Sequence, residues 1–280
     1  AQTERGDLNE AVDNARRGLT IFRQEKESGT LDHENRLRTL GNALLAQRRM
    51  PSAQEYLAQA VDIAVQQDFA TGRKHGRASL ALALAYSGDF DRAEVILRDV
   101  IQATEGEADS SRYQALRNLG TTYRLQGRSA EALPPLLQSI AENDVPARAA
   151  DRASAMVEAA LAYLAQGDLN AAQAQLESAE GIFANLLVAD TPVVADLYMA
   201  RGRIALSNGD LSSALDHFRR ADDVWKRLDP ESRWSGVAAF WLARCLRSLG
   251  RTDEAIDAFA RAERLLPDSR LPSDAQLLQE

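Results

Sequence analysis

The 280-residue chain contains a single cysteine, three histidines, three tryptophans and only 6% aromatic residues. One cysteine, Cys245, excludes an internal disulfide, and its place inside an expected helix reads as a buried structural thiol. His33, His75 and His217 stand apart from one another with no metal-ligand spacing, so no metal site is expected. The run Gly72 to Gly76 is too short and wrongly arranged for a phosphate loop. No base accompanies the serines or Cys245 in a nucleophile motif, so neither catalysis nor a cofactor is expected. No apolar run approaches the ~18 residues of a membrane span, and the first residues lack the regions of a signal peptide. Positive charge is also short: the net charge is −8 and the pI about 5.1. That balance argues against nonspecific attraction of the whole molecule to nucleic acid or an anionic membrane, and leaves proteins, peptides or small ligands as partners.

What the chain does have is a repeat. A turn residue, usually Gly, is followed five positions later by Ala: Gly6/Ala11, Arg48/Ala53, Gly88/Ala93, Gly127/Ala132, Gly167/Ala172, Gly209/Ala214 and Gly250/Ala255. Successive turns are 42, 40, 39, 40, 42 and 41 residues apart. A period in this range is the mark of a stacked helical array. No segment rich in Pro, Gly or Ser divides the chain, which suits one continuous solenoid.

Each unit reads as helix, tight turn, helix and longer connector. Tyr113, Leu116, Leu119, Gly120 and Tyr123 recur at helical spacing before Gly127, and a second helix starting near Ser129 buries Ala132, Leu133, Leu136 and Leu137. Pro134 and Pro135 are expected in its first turns, where a missing amide is best tolerated. The first helices are predicted at about 32–47, 70–87, 109–126, 149–166, 191–208 and 232–249. The array divides into a lone second helix over 1–30, six helix pairs over 31–69, 70–108, 109–148, 149–190, 191–231 and 232–267, and a capping segment over 268–280. Because the first unit lacks its first helix, a further domain is expected upstream.

These residues resemble the tetratricopeptide (TPR) repeat. Seven positions before the turn, where that family has a small residue, stand Gly41, Ala81, Gly120, Ala160, Gly202 and Ala243. Nine after it, at a large position, stand Leu57, Leu97, Leu136, Leu176, Phe218 and Phe259, although Ala15 takes this place in the first unit. The period exceeds the family's usual value of about 34, as in longer-helix variants resembling kinesin light chains and bacterial regulator sensor domains. The resemblance implies an all-α, right-handed α-solenoid of antiparallel helix pairs that binds proteins or peptides and is not an enzyme.

In that family the first helices line the concave face. Projection of its groove positions gives Arg38, Asn42, His75, Tyr86, Arg117, Thr121, Arg124, Met199, Arg203, Phe240, Arg244 and Arg247 as candidate ligand-binding residues. Six arginines and one acid, Asp196, fall on the projected face, a set that fits an acidic or carboxylate-bearing partner through guanidinium forks. Pairing of these arginines with Glu34, Asp196 or Glu158 is the alternative. Arg38 and Asn42 resemble the start of the carboxylate clamp of chaperone-binding TPR domains, but Ser79, Gln114 and Asn118 stand where the rest of that clamp would be. The apolar residues Val157, Leu161, Leu164, Met199 and Leu206 are either a peptide's anchor site or packing between repeats. The expected role is the sensory or scaffolding part of a larger bacterial signalling protein, similar to arrays that follow Ser/Thr kinases or transcription regulators. An assembly factor or co-chaperone without signalling is the alternative. The location would be cytoplasmic, or extracytoplasmic if a membrane span precedes the array.

Overall fold

The computed structural model describes residues 8–24, 30–106, 109–186 and 191–266. These form thirteen α-helices and no strand: α1 (Leu8–Gln24), α2 (Leu31–Ala46), α3 (Met50–Gln66), α4 (Ala70–Tyr86), α5 (Phe90–Ala103), α6 (Ser110–Leu125), α7 (Ser129–Glu142), α8 (Ala149–Ala165), α9 (Leu169–Leu186), α10 (Pro192–Ser207), α11 (Leu211–Leu228), α12 (Arg233–Ser248) and α13 (Thr252–Leu265). The six first helices predicted above are α2, α4, α6, α8, α10 and α12, each within one residue at either end. The expected capping segment over 268–280 and the turn at Gly6 lie outside the described residues.

Local chemistry sets these boundaries. Gly88, Gly127, Gly167, Gly209 and Gly250 all have φ between 72° and 85°, the left-handed geometry that ends a helix most cheaply without a Cβ. At Gly127 the closing turn is secured by amides, Gly127 N–H donating to the Arg124 carbonyl at 2.9 Å and Arg128 N–H to that of Tyr123 at 2.8 Å. At the other end, connector side chains cap the inner helices: Thr30, Asp109, Thr191 and Ser232 accept from amides of α2, α6, α10 and α12. Pro134 and Pro135 fall at the sixth and seventh residues of α7, and the helix continues to Glu142. The carbonyls of Ala130 and Glu131 thereby lose their helical amide partners.

Within each pair the small residue before the turn faces the large one after it. A Cβ added at Gly41 would stand 2.6 Å from Leu57 Cγ, and one at Gly202 would stand 2.5 Å from Phe218 Cε1. At Gly120 the same atom would press on Leu136 and lie 2.8 Å from the Ala132 carbonyl oxygen, which cannot rotate away. Gly120→Ala should therefore destabilise by about 1–3 kcal/mol through overpacking, despite a helix-propensity gain of about 1 kcal/mol. Gly181, exposed on α9 with nothing within 4 Å of the added Cβ, gives the opposite sign, and Gly181→Ala should stabilise by up to about 1 kcal/mol. Urea denaturation of the two variants checks both; equal shifts would refute this placement of the helix contact.

Stacking then builds the wall. Each pair packs on the next, and the first helices also touch one another in series, α2 on α4, α4 on α6, α6 on α8, α8 on α10 and α10 on α12. These inner helices form the concave layer of an α-solenoid. Cys245 is fully buried between pairs, its thiol directed at the Leu211 carbonyl at 3.6 Å, and burial pushes its pKa up.

Candidate functional site

The inner layer encloses a cavity of about 550 Å³ along α2, α4, α6, α8 and the start of α10. Its walls carry many polar groups, among them Asn42, His75, Ser79, Tyr86, Gln114 and Thr121. One wall is held in place by a hydrogen-bonded string between α4 and α6. Ser110 Oγ lies 3.1 Å from His75 Nε2, His75 Nδ1 lies 3.1 Å from Gln114 Oε1, and Gln114 Nε2 donates to Ser79 Oγ at 2.8 Å. Asn118 is buried behind this wall, donating to the Ala78 carbonyl at 2.8 Å. The residues that depart from the carboxylate clamp thus form a neutral, pre-organised surface. Asn42, opposite on α2, makes no side-chain hydrogen bond to another described residue.

Most of the charged groups at the cavity come in matched pairs, while Arg148 lies over the Tyr113 ring at 5.2 Å. Arg117 Nη1 donates to Asp151 at 2.8 Å, and Arg124 Nε donates to Glu158 at 2.6 Å. Arg38 lies outside the cavity lining and pairs with Glu34 at 2.9 Å and with Asn35. The basic groove expected from the arginine count is accordingly corrected in one respect. Glu158, one residue from a projected groove position, and Asp151, one turn before the first of them at the head of α8, bring carboxylates onto the same surface.

At the end of the cavity the turn residue Arg48 reaches across the superhelix. Its Nη2 donates to the Asp196 carboxylate on α10, 148 residues further along the chain. Its guanidinium carbon lies 4.0 Å from the ring centre of Trp234 and 5.2 Å from those of Tyr86 and Trp225. Trp225 and Trp234 stack at 6.1 Å, and Tyr86 meets Trp234 edge-on at 5.3 Å. Burial pushes the Asp196 carboxyl above the ordinary carboxylate range against the pull of Arg48, and burial likewise raises the Tyr86 phenol. Sequence reasoning took Arg48 only as a turn residue and singled out neither tryptophan. The available signal was the arginine itself, standing where the six other turns of the sequence have glycine.

The candidates from the later units lie elsewhere. Met199 and Phe240 are buried in the core formed by α10 to α13, so the apolar projection there serves packing between repeats. Arg203 and Arg244 place their guanidinium carbons 4.8 and 4.9 Å from the Trp241 ring centre, and Arg247, exposed, lies 5.5 Å from that of Phe259. The structure thus brings Asn42, His75, Tyr86, Arg117 and Thr121 together on one cavity, holds Arg124 behind them, and gathers Arg203, Arg244 and Arg247 into a separate group.

No described helix is long and apolar enough to cross a membrane. Comparison with known proteins agrees with the architecture. The chain is similar over 98% of its length, and over 70% of that chain, to the Rap conjugation gene regulator of the plasmid pLS20 in complex with the Phr* peptide, at 12% identity with a TM-score of 0.72. Cut9 in the APC/C hetero-tetramer Cut9–Hcn1 matches 100% of this chain over 47% of its own, at 14% identity and a TM-score of 0.66. A kinesin light chain of nearly identical TPR-like repeats from Podosopora anserina matches 69% of this chain and 94% of its own, at 23% identity and a TM-score of 0.51. No curated protein matches the sequence. Residues 74–280 match the family model of the MalT-like TPR region. With most of its length under that model and helix pairs stacked as described, the chain belongs to the MalT-like TPR family.

Proposed function

We propose that this array is a non-catalytic binding domain whose concave cavity takes a segment of a partner protein or a peptide, as the sensory or scaffolding part of a larger signalling protein. The observation that carries this reading is the cavity itself, of about 550 Å³, walled by hydrogen-bonding side chains of α2, α4 and α6. The likeness to a Rap regulator in complex with a peptide supports it, and so does the family. The likeness to Cut9 in a hetero-tetramer supports the second reading, an assembly scaffold without signalling. An acidic or carboxylate-bearing segment is the partner proposed for Arg203, Arg244 and Arg247, whose guanidiniums lie over aromatic rings. Inside the cavity Arg48 and Arg117 already face carboxylates, so recognition there rests on the uncharged donors and acceptors together with Arg148.

A random-peptide display selection on the chain tests the proposal. Selected peptides should lose about tenfold in affinity with Asn42→Ala, the equivalent of one hydrogen bond of about 1.4 kcal/mol. They should bind unchanged to the outer-face variant Arg98→Glu. Salt should weaken only those peptides whose affinity also falls on charge reversal at Arg203 and Arg244. Peptides indifferent to Asn42 and to these arginines, or no enrichment at all, would remove the cavity and the arginine group as the site.

A further inference from the structure

Arg48 occupies a place built for a guanidinium. At the equivalent turns of the later repeats the residue with positive φ is glycine, whereas Arg48 holds φ at 57° with a full side chain. A left-handed conformation disfavours any residue with a Cβ, and such positions persist where the surroundings over-determine them. Here the surroundings are three aromatic rings and a carboxylate, with the Arg233 guanidinium also over Trp234 at 3.6 Å. The side chain is 5% exposed, yet its Nη1 is buried without a hydrogen-bond partner, so this occupant leaves one of its donors unmatched. Arg48, Tyr86 and Asp196 also line the cavity, which places this pocket within reach of whatever the cavity holds.

Aromatic rings around a cation, with a carboxylate at one side, are the chemistry that recognises cationic ligands, and stacking on indole selects a flat one. We infer that Tyr86, Trp225, Trp234 and Asp196 form a guanidinium-binding cage, filled here by the chain's own Arg48 as an internal ligand, and that an arginine side chain of a partner peptide takes the same place when Arg48 leaves. The exchange keeps the charges balanced. One guanidinium replaces another, Asp196 stays matched, and the neighbouring Arg124–Glu158 pair sees no change in charge. A carboxylate entering the same spot would instead meet Asp196 and Glu158 as like charges. That the natural occupant belongs to a peptide rests on the cavity reading above; the cage does not.

Vacating the cage tests this directly. Arg48→Gly installs the residue that the other turns carry, so it removes the internal ligand while relaxing the backbone. N-acetyl-arginine amide titrated into Arg48→Gly by calorimetry should bind saturably, at least tenfold more tightly than to the parent protein, whose cage is full. N-acetyl-citrulline amide, the neutral analogue of the same shape, should bind at least tenfold more weakly than the arginine amide. Adding Asp196→Asn to Arg48→Gly should remove most of the arginine affinity. Should Arg48→Gly lose its helical circular dichroism, Arg48→Asn is read in its place, since asparagine tolerates the left-handed conformation and leaves no cation in the cage, and the same order against the parent is expected. Equal binding to parent and variant, no binding to either, or equal binding of citrulline would overturn the cage. Because no peptide is used, that failure would leave the cavity reading to the display selection, and failure of the selection would leave the cage standing.

Discussion

Phe218→Ala is expected to cost about 3–5 kcal/mol, the range for emptying a fully buried aromatic position. The ring is wholly inaccessible, lies under Gly202 where no Cβ intervenes, and stacks on Trp241 at 6.1 Å. Neither neighbour can refill the space. Gly202 has no side chain, and Trp241 carries the Arg203 and Arg244 guanidiniums within 5 Å of its ring centre. Because the stability of an array is a sum of units and of the interfaces between neighbours, the loss should be local. Hydrogen exchange should accelerate through α10 to α13 while α4 to α7 keep their protection. A uniform increase along the chain would show that the array unfolds as one cooperative block, and unchanged exchange in α10 to α13 would refute the role given to the ring.

Glu158→Ala is expected to cost about 3 kcal/mol or more, because it strands a largely buried cation. The Arg124 and Glu158 side chains are 15% and 11% exposed and joined at 2.6 Å, with Arg48 and Asp196 in the same cluster. Removing the carboxylate leaves two guanidiniums against Asp196 alone. Removing Arg124 as well should restore much of the stability, so the double variant should be less destabilised than the sum of the single ones. Guanidinium chloride would compete for the cage, so urea is the denaturant in which the midpoints should be compared. Strict additivity would mean that the pair is not coupled.

The helices were legible because their signals are local. Glycine at the turns and the small residue before each turn, such as Gly120 facing Leu136, act within one repeat, where spacing in sequence is spacing in space. Half of the cavity was legible for the same reason, since a position counted back from the turn names a face of a helix. What counting cannot supply is the rotation from one pair to the next, accumulated over several repeats. It decides that Arg48 meets Asp196 and that Trp234 meets Tyr86, and it turns Phe240 and Met199 inward to the core. Glu158 was legible as a partner for the arginines and pairs with Arg124, whereas Asp151, which pairs with Arg117, lies one turn before the positions counted back from the turn and was not.

The Arg48–Asp196 contact also bears on how such a chain can change over generations. A solenoid joined only through adjacent units tolerates duplication or loss of a unit, because each end simply moves along the stack. Here the turn after α2 must arrive opposite α10, and the intervening units set that meeting by their number and pitch. Losing or gaining one between them would turn Asp196 and both tryptophans away from Arg48. The array therefore counts its own repeats, and drift in length is confined to the units outside that span.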